Sequence, residues 1–225
     1  MAKARCTPLW QPIPCPLSDI EGLESWLGDM AAQGLVPVTI GQNFARFRCS
    51  QPKAVRYRLN AKPAPETFLE SAPGTPDGEE RALAQECGWY YVTAVGDFFL
   101  YACEDSDAPE LNTDPQVQAL SLRYAKRQVF APAGLLAYWL VTFWVRYAMG
   151  VWHTPVIDFV ELGWLSFCYL GLLAAALVSV VHNTVLLYRF SARLTRGAEP
   201  ERHKNWRKGA GRYLVGRVLA SRVVV

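Results

Sequence analysis

A cytosolic α+β domain followed by a two-helix transmembrane hairpin is the fold class this sequence predicts, on three observations. Two uninterrupted apolar runs, Phe130 to Trp152 and Leu162 to Tyr188, are each long enough to cross a bilayer, because about 20 apolar residues at about 1.5 Å each span about 30 Å of hydrocarbon. The stretch before them mixes helical and strand periodicities. Lys and Arg flank the pair of runs (Arg123, Lys126, Arg127 before, Arg189 and Arg193 after) and are missing between Tyr147 and Glu161, so the positive-inside rule puts both ends in the cytoplasm.

Residues 1–16 read as a Pro-rich segment (Pro8, Pro12, Pro14, Pro16) without the apolar stretch of a cleavable signal, so translocation is expected to use the hairpin itself. Residues 17–114 are enough for one core. Ser18 is placed to cap a helix with Glu21 at its third position, and Ile20, Leu23, Trp26, Leu27 and Met30 form its apolar side before Gly34 stops it. Leu35 to Ile40 and Phe44 to Arg48 read as strands around Gly41-Gln42-Asn43, and Ala54 to Leu59 alternates apolar with basic residues as a half-buried strand does. The Pro- and Gly-rich stretch from Ala61 to Gly78 reads as a long loop. Glu79 to Cys87 makes a short helix stopped by Gly88, and Trp89 to Val95 with Phe98 to Cys103 makes a hairpin across Gly96-Asp97. The expected result is an antiparallel sheet with helices on one face.

Beyond it, Asp114-Pro115 opens a juxtamembrane helix over 115–129 through Gln116, Leu120 and Tyr124. Transmembrane helices then cover 130–152 and 162–188, joined by an outer loop at 153–161, and a basic tail runs over 189–225. The net charge of +3 divides into a basic tail and a mildly acidic remainder. The six cysteines show no metal-ligand spacing and, in a reducing cytoplasm, read as small apolar residues rather than disulfides.

Several residues of the domain carry a family resemblance. The run from Ile20 to Leu35, Phe47, Pro52-Lys53, Tyr57-Arg58-Leu59, Gly88-Trp89 and Leu111-Asn112-Thr113-Asp114 together resemble a bacterial family of unknown function, numbered 2812 among such domains. Its members often carry membrane helices after this domain and are often encoded beside PadR-type repressors. The resemblance therefore implies an inducible, membrane-associated protein and supplies no catalytic residue.

Within the apolar runs, Gly134, Tyr138, Thr142 and Arg146 recur every four residues, as do Gly171, Ala175, Ser179 and Asn183, giving each helix a small or polar stripe for packing or assembly. Arg146 lies inside the first run and needs a partner, with Glu161 expected ahead of Asp158. Comparing Glu161→Gln with Asp158→Asn for hairpin stability decides between those acids. His182 could sense pH but reads more simply as a hydrogen-bonding residue. In the tail, Arg189, Arg193, Arg196, Lys204, Arg207 and Lys208 are expected at lipid headgroups, and no nucleic-acid partner is expected.

Catalytic, metal and cofactor-binding residues are not expected, because no nucleophile elbow, phosphate-binding glycine loop or HExxH is present and the three histidines lie far apart. The sequence thus points to an accessory or sensory protein of the bacterial inner membrane, whose α+β domain binds a protein or small ligand. Its hairpin would assemble with itself or with a membrane partner. The alternatives are a homo-oligomeric transport- or channel-associated subunit and, less favoured, a membrane-tethered enzyme.

Overall fold

The computed structural model describes residues 9–63, 73–111, 118–119, 121–128, 134, 138, 141, 145, 148–149, 164–197, 204–207, 210–211 and 213, with the side chains of 164–175 outside that set. The strands form two antiparallel sheets where the sequence predicts one. The first contains β1 (Leu9–Pro12), β2 (Leu35–Ile40) and β3 (Phe44–Cys49) in the order β1-β3-β2. The second contains β4 (Arg56–Ala61), β5 (Tyr90–Val95) and β6 (Phe98–Cys103) in the order β4-β6-β5. Strand β2 lies against β5, so the sheets meet along those edges. Both prolines within the first sheet, Pro12 and Pro37, sit on edge strands, where a missing N–H costs no ladder bond, and β2 has an irregularity between Pro37 and Thr39.

Helix α1 (Ile20–Ala32) serves both sheets. Its Trp26 meets Phe47 of β3 edge-on, with ring centroids 5.5 Å apart. The cap is Asp19, whose carboxylate accepts from the Gly22 N–H at 3.1 Å; Ser18, the expected cap, is engaged elsewhere. Gly34 ends the helix at φ 81°, and a Cβ there would stand 2.6 Å from the Ser50 carbonyl.

Helix α2 (Gly78–Glu86) covers the other face of the second sheet. The odd residues of β6, Phe99, Tyr101 and Cys103, pack with Ala84 of α2 and with Trp89, while the even ones, Phe98, Leu100 and Ala102, join α1's core. Every residue of β6 is therefore buried. Helices on opposite faces of this sheet replace the expected single helical face.

The transmembrane hairpin is corrected as well: among the described residues, no helix is long and apolar enough to cross a membrane. The helix of the second apolar run does not end with the run at Tyr188. It is the 32-residue α3 (Trp164–Thr195), which continues through Arg189 and Arg193. Its Leu187, Phe190 and Leu194 are core residues of the α+β domain, together with Ala119, Leu122 and Ala125. Part of the apolar pattern is thus spent on domain packing. Lys126 reinforces that junction, donating to Ser191 and lying 5.2 Å from the Tyr188 ring. Of the first run, only residues 134, 138, 141, 145, 148 and 149 are described, and all are exposed.

The cysteine expectation also changes, since Cys49 is disulfide-bonded while Cys15, Cys87 and Cys103 are free.

If α3 is part of the core, Phe190→Ala removes a buried ring and destabilises the α+β domain by about 3–5 kcal/mol. Denaturant unfolding of the full chain, followed by tryptophan fluorescence, checks this; an unchanged midpoint would separate α3 from the domain.

Candidate functional site

Helix α1 carries two polar flanks, and together they form the most heavily connected region among the described residues. One flank faces the carboxy-terminal part of the chain. Glu21, Ser25 and Asp29 follow one another at four-residue spacing, and Asp19 precedes them at the cap. Acids at the first turn are favoured by the helix dipole. Glu21 is only 2% exposed and pairs with Arg193 of α3. Lys204 donates from Nζ to Asp19 at 2.6 Å and from its backbone N–H to the Ser25 hydroxyl at 2.9 Å. Trp206 donates its indole N–H to Asp29 at 2.9 Å, and the Arg207 guanidinium stands 3.9 Å from the same carboxylate. Above these, the Ser18 hydroxyl donates to the Asn183 side-chain carbonyl at 2.5 Å.

The other flank faces the second sheet. Glu24 accepts from the Leu59 N–H at 2.7 Å, and so satisfies a backbone donor on the open edge of β4. Its second oxygen accepts from Arg58 at 2.9 Å, and Arg58 in turn donates to Glu110 at 2.9 and 3.3 Å. Arg56 donates to the carbonyls of Asp105 and Ala108 at 2.9 and 2.7 Å and lies 5.2 Å from the Trp89 ring. The chain after β6 is thereby fastened to α1 through β4.

Burial governs the electrostatics. It pushes the Glu24 carboxyl up to about 7, against the pull of Arg58 and the Leu59 N–H. Burial, with Asp19 beside it, pushes the Cys15 thiol up to about 12 despite Lys204. Cys15 is therefore held as a neutral thiol, a poor nucleophile. Among the described residues, no three His, Cys, Asp or Glu side chains are grouped to hold a metal ion. The arrangement is suited to joining segments and passing on a displacement.

The predicted assembly residues are only partly brought together. Asn183 donates to Ser179 at 3.3 Å and accepts from Ser18, which turns that stripe towards α1. Gly134 and Tyr138 are exposed, while Thr142, Arg146 and Glu161 lie outside the described residues, as do the side chains of Gly171 and Ala175. Of the predicted headgroup residues, Arg193, Lys204 and Arg207 have carboxylate partners on α1 or at its cap, Arg189 and Arg196 are exposed, and Lys208 lies outside the described residues. Asp19, Glu21, Ser25 and Asp29, which make this joint, were not among the predicted site residues. The signal was present in their near four-residue spacing and in the opposite charges of domain and tail.

A family model described as protein of unknown function (DUF2812) matches residues 19–133. No curated protein and no solved structure matches the chain.

The Glu24 carboxyl, raised from the ordinary 4.5, binds protons in the folded chain that the unfolded chain has already released. Its contribution to stability is therefore lost as pH rises from about 4.5 to about 7. Thermal melts at pH 5 and pH 8 should show the wild type losing at least about 2 °C more than Glu24→Gln over that interval. Equal losses would remove Glu24 as the source.

Proposed function

The chain belongs to the DUF2812 family, whose function is unknown, and from that premise we propose an accessory or sensory protein that binds a protein or small ligand through its α+β domain and relays the event through α3. The observation that carries this reading is the double fastening of α1, to β4 through Glu24 and to α3 and the tail through Glu21, Asp19 and Asp29. A ligand that shifts α1 must shift both.

Helix α3 offers something to receive the signal. Leu177, Val178, Val181, Val185 and Tyr188 are exposed at three- and four-residue spacing along one side, away from the core residues Leu187, Phe190 and Leu194. A bare apolar side of that extent suits a partner helix, a second copy or lipid. Arg189 and Arg196 near its end suit anionic headgroups, which supports an inner-membrane location in the same proposal. The role proposed is binding rather than catalysis.

The test is mild cross-linking of the full chain in bacterial membranes, with mass spectrometry of what is captured. The wild type is compared with Asp19→Lys/Asp29→Lys and, as a second way of opening the same contact, Lys204→Glu. The expected result is a specific membrane-protein partner whose capture falls at least about fivefold in both variants while their melting temperatures stay within a few degrees of wild type. Self-cross-links alone would favour the homo-oligomeric subunit, and a partner captured equally by all three proteins would contradict the relay.

A further inference from the structure

The first sheet has a face that no part of the described chain covers. Along β3 the burial alternates: Ala45 and Phe47 are fully buried towards α1, whereas Phe44, Arg46 and Arg48 are exposed. Register extends the outward face across the sheet. Trp10 of β1 lies opposite Arg46, Pro12 lies opposite Phe44, and on the other side Thr39 and Val36 of β2 lie opposite Arg46 and Arg48. Directly opposed residues have Cβ atoms about 5 Å apart, and Arg46 and Arg48 are about 7 Å apart along the strand. Trp10 is 60% exposed and Phe44 51%, unusual for rings of this size.

The two arginines are also unlike Arg56 and Arg58, both of which are tied to carboxylates. Among the described residues, the guanidinium groups of Arg46 and Arg48 have no hydrogen bond, ion pair or ring contact. An open sheet face thus combines two bare rings with two unneutralised guanidinium groups. We infer that this face is a docking surface for an anionic lipid bilayer, with Trp10 and Phe44 at the boundary between headgroups and acyl chains and Arg46 and Arg48 on the phosphates. The inference rests on the membrane association proposed above and adds a second contact, made by the α+β domain itself.

Shape and chemistry select lipid. The face is a sheet surface rather than a concave pocket, so it does not enclose a small molecule. Its neutral hydrogen-bonding side chains among the described residues are Thr39 and the indole N–H of Trp10, which leaves little to read base edges. Val38, at the irregularity of β2, adds exposed aliphatic surface that lipid covers and a nucleic acid does not need.

The experiment is flotation of the full chain, transferred from mild detergent, with phosphatidylcholine vesicles and with vesicles containing phosphatidylglycerol, at about 0.1 M and 0.5 M salt. The expected result is at least about fivefold more protein on the anionic vesicles at low salt, with the preference lost in Arg46→Glu/Arg48→Glu and weakened in Trp10→Ala, all with melting temperatures close to wild type. Two basic residues at the headgroups are sufficient for that preference. A wild-type preference that the variants retain would overturn the assignment of this face and leave the membrane association standing. Wild type that floats with neither vesicle would overturn the association itself. Binding of oligouridylate that the variants lose, without any lipid preference, would make the face a nucleic-acid surface and overturn the inference.

Discussion

Two carboxylates one turn apart on α1, Glu21 and Glu24, hold the two halves of this protein together. Glu24 seals an edge donor of the second sheet and anchors Arg58; Glu21 reaches the other way, to Arg193 on the long carboxy-terminal helix. Both carboxylates are buried, which makes them costly to leave unpaired; for the Glu24–Arg58 pair, buried on both sides, removing one partner costs about 3–5 kcal/mol, whereas Arg193 is half-exposed and its pair with Glu21 is weaker. The same cost makes the pairs selective. Displacing α1 from its neighbours breaks these contacts, so the pairs favour one helix position as well as adding to stability.

Apolar packing and polar fastening act on the same joint. Leu187, Phe190 and Leu194 enter the core beside α1, and Lys204, Trp206 and Arg207 then close over its acidic flank. A segment expected to be a free basic tail at lipid is, at these positions, bonded to the protein. The helix above the joint remains bare along Leu177, Val181 and Val185, and the outer face of the first sheet remains bare around Trp10 and Arg46.

Much of the fold was legible in the sequence. Helix α1, the hairpin of β2 and β3 and the hairpin of β5 and β6 fall within one or two residues of their periodic patterns, because local periodicity and the glycines at 34 and 88 act within a few residues. The division into two sheets was not legible, since it depends on which edges meet, and alternation says only which face of a strand is buried. β6 hid its double burial for the same reason. The cap illustrates a tertiary override: Ser18 and Asp19 are both good caps, and Ser18 is drawn away by Asn183, which lies far along the chain. The end of α3 was misjudged because a run of apolar residues does not declare whether lipid or protein will cover it. The bond at Cys49 left no mark in the local sequence pattern.

Native-state hydrogen exchange tests most directly whether α1 and the end of α3 behave as one unit. Amides of Leu23 to Ala31 and of Leu187 to Leu194 should open with the same free energy and respond together to denaturant. Exchange of the α3 segment at a distinctly lower free energy, with α1 still protected, would show that the helix merely rests against the domain and would contradict the relay.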